Sequence, residues 1–342
     1  MTDTTRIALV GLGATGLAIG RALASRRDCT LVGAADISPE RVGRDLGELL
    51  GGTPSGTAVV ADPDELPLAD VAMVATTSML DAVEPVLSAL VRRGMNVVSI
   101  CEELGHPFLS HPEVSGRLDK LAVEHGVSVL GTGCNPGMIM DTLPLLLSSL
   151  TQRVRRVRIR RTADMSRYGA ILTKFGLGLT EERFAAEQGA GRVIGHVGFE
   201  QSVAALAAGL GRDLDEIVVD APRPALLAAE PRSGEHIRIE PGTVAAVLHG
   251  ARGLSGGEAV IELGIHFGLF QPGDPMEDGD TCVIEGDEQT VEVRVPGGYE
   301  SFLSTVAVAS NAVVAAVGAA PGLRTMADLP VAALASKGAW RH

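Results

Sequence analysis

Six residues, Gly11-Leu12-Gly13-Ala14-Thr15-Gly16, stand between a short apolar run, Ile7-Ala8-Leu9-Val10, and a segment of helical composition from Gly16 to Ser25. A glycine-rich hexamer alone says little. Here it follows a predicted strand and opens a predicted helix, and Asp36 closes the next apolar run, Leu31 to Ala35, 20 residues after Gly16. That context is the fingerprint of a βαβ unit that binds a dinucleotide. Gly11 permits the tight turn, Gly13 lets the backbone approach a pyrophosphate where a Cβ would collide, and Gly16 allows close helix–strand packing. Leu12, Ala14 and Thr15 complete a loop whose N–H groups, with the helix dipole, face the phosphates. Asp36 is placed to accept from a ribose 2′-hydroxyl and to repel a 2′-phosphate, which favours NAD. Ser38 and Arg41 follow closely and can hold such a phosphate if Asp36 turns aside, so NADP stays open.

The pattern continues as alternating strand and helix signals. Val71 to Ala75, Asn96 to Ile100 and Val127 to Leu130 read as buried strands, and Leu80 to Arg93 and Pro112 to His125 as helices. Such alternation predicts a Rossmann-type, doubly wound parallel sheet. After about residue 150 the period changes to two. Val157 and Ile159 alternate with arginines, Ile237 and Ile239 alternate with His236 and Arg238, and Ile261 to Leu269 and Val291 to Val295 alternate in the same way. Strands with one wet face predict an α+β domain on an antiparallel sheet, packed by helices such as Glu200 to Gly209. At 342 residues the chain suits two domains. We expect a dinucleotide-binding domain over 1–140 and a second domain over 141–303. The last apolar helix, about Ser304 to Val317, and the tail to 342 are expected to pack back on the first.

Composition excludes several classes. A formal charge of −13 repels phosphate backbones and anionic lipid, so nucleic acid and membrane surfaces are poor partners. No run of 18 apolar residues spans a membrane, and the polar start, Met1 to Thr5, does not resemble a signal peptide. Cys29, Cys101, Cys134 and Cys282 form no CxxC pair and no ligand cluster, which fits reduced thiols in a cytoplasmic protein and no metal site.

Ligands of an open parallel sheet sit at the carboxyl ends of its strands. Three ends carry chemistry here. Thr76-Thr77-Ser78 offers hydroxyls that line the nicotinamide side or cap the next helix. Cys101-Glu102-Glu103 offers two adjacent carboxylates facing opposite ways, one of which can act as acid and base beside a nicotinamide. Gly131 to Met138 wraps turn residues around Asn135, whose amide can meet the cofactor's carboxamide.

The blocks CEELGHP at 101–107, GTGCNPGMIMDTLP at 131–144, GHVGFEQSVAAL at 195–206, PGLRTMADLP at 321–330 and VGRDLGELLG at 42–51 resemble the 2,4-diaminopentanoate dehydrogenases and their relatives, the native amine dehydrogenases. The resemblance covers nearly the whole chain. It implies a dihydrodipicolinate-reductase-like first domain, a second domain that builds a homodimer, and reversible oxidative deamination. An amine gives hydride to NAD(P)+ and the imine is hydrolysed to a ketone and ammonia, or a ketone is aminated in reverse. The family's catalytic glutamate maps to Glu102 or Glu103, with Glu102, the first residue past the strand, preferred. The resemblance places His196 beside the substrate, and Asp164, Met138 and Thr173 are expected to complete the substrate side. Relatives often carry Asn where this chain has Ala163, so the amine it accepts stays open.

Rival readings lack their residues. Dihydrodipicolinate reductases need paired histidines with a lysine, and Tyr-Lys alcohol dehydrogenases need a YxxxK that neither Tyr168 nor Tyr299 provides. A non-catalytic dinucleotide sensor would not need the Glu102-Glu103 pair.

Overall fold

A computed structural model describes residues 4–168, 171–276 and 279–330. Thr5–Val10 forms β1, then α1 (Ala14–Ala24), β2 (Cys29–Ala35), α2 (Leu46–Leu49), β3 (Val59–Val60), β4 (Val71–Val74), α3 (Leu80–Arg92), β5 (Asn96–Ser99), α4 (Pro112–His125) and β6 (Ser128–Gly131) follow. The chain continues through α5 (Thr142–Ser148), β7 (Val154–Asp164), α6 (Ile171–Phe175), α7 (Glu181–Gly189) and α8 (Phe199–Gly209). The strands β8 (Glu216–Val219), β9 (Arg223–Leu227), β10 (Arg232–Ser233), β11 (Arg238–Ile239), β12 (Val244–Ser255), β13 (Glu258–Gly268), β14 (Asp280–Gly286) and β15 (Thr290–Val295) come next. It ends on α9 (Ser301–Val317) and β16 (Gly322–Arg324). Among the described residues two compact units result, 4–139 with 302–330, and 140–301; the expected packing of the tail over 331–342 lies outside the described residues.

The first unit is a seven-stranded sheet in the order β16-β6-β5-β4-β1-β2-β3, parallel throughout. Strand order reverses direction between β1 and β4, so a crevice opens at their carboxyl ends. Both faces are covered. Ala8, Val10, Ala72 and Val74 pack with Val83, Leu87 and Leu118 on one side. Ile7, Leu9, Val71 and Met73 pack with Ile19, Leu23, Ala312 and Val313 on the other. The small residues of α9 let its backbone approach the sheet, and polar contacts fix it. Arg26, 3% exposed, gives Nη1 to the Ser310 carbonyl (3.3 Å) and Asn311 Oδ1 (2.9 Å), and Ser128 Oγ donates to the Ala316 carbonyl (2.7 Å).

The second unit centres on a seven-stranded sheet, β15-β14-β7-β13-β12-β8, with β9 also paired to β12. It corrects the expectation of an antiparallel sheet, because β7 and β13 run parallel from Ile261↔Val157 to Gly268↔Asp164, and the sheet is mixed. Period two reports one buried face but not strand direction, and the long excursion between the two strands, with three helices, gives the crossover that parallel neighbours need. The alternation at 237–239 yields only the two-residue β11, paired with β10. On the inner face Ile159, Arg161, Val247, His249, Ile265 and Phe267 are buried, and α8 covers them with Phe199, Val203 and Leu206. No helix among the described residues is long and apolar enough to cross a membrane.

Candidate active site

In the first unit, Gly11 leaves β1 with φ +87°, and a Cβ there would lie 2.5 Å from the Ala75 carbonyl oxygen of the neighbouring strand end. A Cβ on Gly16 would come within 2.0 Å of the Gly11 carbonyl oxygen. These two glycines are demanded by the chain's own packing. Gly13 is not: its φ is −62°, and a Cβ there would meet nothing within 4 Å. It is the N-cap of α1, which no side chain caps. The space it faces belongs to a groove of about 270 Å³ lined by Gly13, Ala14, Thr15, Gly16, Ala75, Thr76, Thr77, Ser78, Ile100 and Glu102. An uncapped helix start facing an open groove, with a glycine that the protein itself does not require, fits a dinucleotide pyrophosphate.

Asp36, 8% exposed, sits beside this loop. Its Oδ2 accepts from the Leu12 N–H at 2.6 Å and its Oδ1 from the Ser38 N–H at 2.7 Å, and Arg41 Nη1 lies 3.3 Å away. Turning Asp36 aside would strand the Leu12 and Ser38 donors, each hydrogen bond to a carboxylate contributing about 1.5–3 kcal/mol.

The adjacent glutamates divide their work. After β5 the chain makes a 3₁₀ turn over Glu102–Gly105. Glu103 Oε2 accepts the first N–H of α3, from Leu80, at 2.6 Å and lies 3.4 Å from His111 Nε2, while its own N–H donates to the Ser78 carbonyl. His111 Nδ1 in turn lies 3.8 Å from Asp81. Glu103 therefore fastens the turn to α3 and α4, and Glu102 lines the groove. Since Glu103 supplies the cap of α3, the threonines are not needed for it; only Thr77 Oγ1 reaches the Met79 N–H, at 3.3 Å. Burial first, then the neighbouring carboxylates, push the thiol of Cys101, which precedes the pair, up to about 12, away from the reactive thiolate form. Burial likewise holds Cys29 and Cys282 near 11.

The loop after β6 packs against the same turn, because a Cβ on Gly105 would lie 2.8 Å from Pro136 Cβ. It is tied down by the Thr132 N–H to the Ser99 carbonyl and by the Cys134 N–H to Thr305 Oγ1 (3.2 Å). Asn135 is half-buried in this loop, and Met138 packs on the α9 side of the core.

The second unit brings a different set together. His196 follows Gly195, and its ring meets Phe199 edge-on at 4.9 Å and Phe267 at 5.9 Å. Burial, then His249 and Arg161, push its imidazole down to about 3, so it is neutral. The His196 backbone N–H donates to His249 Nδ1 at 2.9 Å. Sequence reasoning passed over His249. The only signal was its position, in phase with the inward-facing Val247 and Ala251 of β12. Asp164 does not join this cluster: it ends β7 on the outer, exposed face, where it accepts from the Ser166 N–H. Thr173 belongs to α6, and its side chain lies outside the described residues. Among the described residues no group of histidines, cysteines and carboxylates is arranged to hold a metal.

The sequence profile of the 2,4-diaminopentanoate dehydrogenase C-terminal domain matches residues 138–341. The 2,4-diaminopentanoate dehydrogenase of Acetoanaerobium sticklandii is 31% identical over 347 residues, covering 96% of this chain and 94% of that protein. The amine dehydrogenase of Mycobacterium smegmatis superposes with a TM-score of 0.82 at 27% identity, covering 95% of this chain and 96% of its own. GenD2 from gentamicin A biosynthesis, solved in complex with NAD, shares the fold at a TM-score of 0.55 and 18% identity, over 98% of this chain and 92% of its own.

Proposed function

The chain belongs to the 2,4-diaminopentanoate dehydrogenase family and is an NAD(P)-dependent amine dehydrogenase, and from that premise we propose that Glu102 is its acid–base residue in the reversible conversion of an amine, NAD+ and water into a ketone, ammonium and NADH. The observation that carries the reading is the division within the pair: Glu102 lines the groove at the switch point, whereas Glu103 is spent on Leu80 and His111. When bound, the nicotinamide accepts hydride from the amine carbon, or returns it to the imine. The Glu102 carboxylate takes the proton from the substrate ammonium and moves protons as water adds and ammonia leaves. Its negative charge also stabilises a cationic imine carbon–nitrogen unit. Reduced-nicotinamide absorbance tests the function. With 2,4-diaminopentanoate and NAD+ it should rise, and with a panel of ketones and NADH it should fall only when ammonium is present. Ketone reduction that proceeds equally without ammonium would make the chain a ketone reductase instead.

NAD is the preferred cofactor in this reading, because the two backbone donors hold Asp36 where a 2′-phosphate would have to sit. Gly13→Ser tests the cradle. Serine is a favoured N-cap residue, so the thermal midpoint should hold or rise, by up to about 1 kcal/mol in stability. The same side chain enters the phosphate space, so NAD+ affinity by titration calorimetry should fall at least about tenfold, which is about 1.4 kcal/mol. Unchanged NAD+ affinity, or tighter binding of NADP+ by the wild type, would sink this assignment.

The outer face of the second sheet supports a homodimer. It carries an open hollow of about 860 Å³ among Arg158, Arg160, Arg252, Glu262 and His266, with oppositely charged pairs such as Arg158–Glu285 and Arg252–Asp220 that suit a twofold mate. Gly264 lies mid-strand on this face without positive φ, and a Cβ there meets nothing within 4 Å. Mid-strand glycine costs roughly 0.5–1 kcal/mol relative to alanine, and the single chain shows no return for it. Sedimentation should give a dimer for the wild type and monomers for Gly264→Arg; a monomeric wild type would refute the assembly. All four cysteines are free and buried, which suits the cytoplasm, and cell fractionation checks the placement.

A further inference from the structure

We propose that His249 is the positioning residue of the substrate wall: its Nδ1 accepts the His196 N–H and so fixes where the His196 imidazole stands. The inference rests on His196 bordering the amine. His249 lies in the middle of β12, 3% exposed, and its Nδ1 is 2.9 Å from the His196 nitrogen. Gly195, just before His196, takes φ +67°, and a Cβ there would fall 2.4 Å from the same Nδ1. The turn is thus shaped to bring one backbone donor onto one imidazole lone pair, with no space for a side chain between them. Phe199 sets its ring edge-on to His196 at 4.9 Å and to His249 at 5.0 Å, so both imidazoles are gauged against one aromatic plane. An Nδ1 that accepts must be unprotonated, which makes the ring the neutral Nε2–H tautomer. Burial favours that state by lowering the pKa of His249.

A histidine kept only for packing is replaceable by a side chain of similar size. One kept for its lone pair needs an acceptor, which asparagine offers near the position of Nδ1 and leucine does not. His249→Leu should raise KM for 2,4-diaminopentanoate about fivefold to tenfold, the loss of one buried hydrogen bond. KM for NAD+ should stay at the wild-type value. His249→Asn should return the amine KM to within about twofold of wild type. Gly195→Ala, which presses on Nδ1 from the other side, should raise the amine KM in the same direction, and it serves if His249→Leu does not fold. Thermal midpoints recorded beside the kinetics separate stability from binding. A wild-type amine KM in His249→Leu, or equal KM values in the leucine and asparagine variants, overturns the proposal. His196→Ala distinguishes the two levels. If it raises the amine KM while His249→Leu does not, the positioning role alone falls. If His196→Ala leaves that KM unchanged, His196 does not border the amine and the proposal falls with it.

Discussion

Glu102→Gln is expected to bind NAD+ as the wild type does and to lose about 10²–10⁴-fold in kcat, the range that positioned acid–base groups contribute. Glutamine keeps the shape of the side chain and the lining of the groove, but it cannot take a proton and carries no charge to set against an imine cation. Glu103→Gln is the matched control. Its amide oxygen can still accept the Leu80 N–H, so α3 keeps its cap, while the charge beside His111 is lost. That change should cost on the order of 1 kcal/mol in stability, with kcat falling far less than in Glu102→Gln. Stopped-flow traces of NADH formation, read beside calorimetric NAD+ affinity, compare the two. Full turnover in Glu102→Gln with its loss in Glu103→Gln would reverse the assignment.

The second large effect is on stability. Arg161 and Asp280 have side chains 2% and 4% exposed and meet at 2.9 Å. Each is bonded further. Arg161 Nη2 reaches Ser301 Oγ (3.1 Å) and the Tyr299 carbonyl (3.3 Å), and Asp280 accepts from the Thr162 and Tyr299 N–H groups at 3.1 Å. Arg161→Leu leaves a carboxylate buried without its cation, which costs about 3–5 kcal/mol. For a unit of this size that lowers the thermal midpoint by roughly 10 °C. Adding Asp280→Asn removes the orphaned charge and should recover a large part of the loss. Calorimetric melting of the single and double variants decides it. An unshifted midpoint in Arg161→Leu would show the pair to be hydrated in solution.

The geometry of the glycine-rich loop was legible because it is local: turn, close approach and helix start fall within six consecutive residues, and Asp36 follows one strand later. The alternation of buried strands and helices likewise announced the parallel sheet. Period two at 157–163 and 261–269 revealed a buried face yet was silent on direction, so the parallel pairing of β7 and β13 was not foreseen. The seventh strand of the first sheet, β16, spans only three residues, Gly322–Arg324, and carries no period. The Glu102-Glu103 ambiguity had the same origin. Which of two adjacent carboxylates faces a groove depends on the turn they make, and that turn is held by His111 and Leu80, remote in sequence. His249 was overlooked because a histidine in phase with apolar neighbours looks like ordinary core until its Nδ1 is seen to receive a backbone donor.

The folding back of α9 and β16 bears on how the protein is made. A ribosome finishes β6 and then has about 170 further residues to add before the helix that covers one face of the sheet emerges, roughly 10–35 s at ordinary elongation rates. Throughout that interval Ile7, Leu9, Met73 and Val98 lack the partners that α9 brings. The nucleotide-holding lobe is thus completed only after the second unit has been made, and a message truncated before the Phe302 codon would release it with an uncovered sticky surface, a natural client for chaperones and proteases.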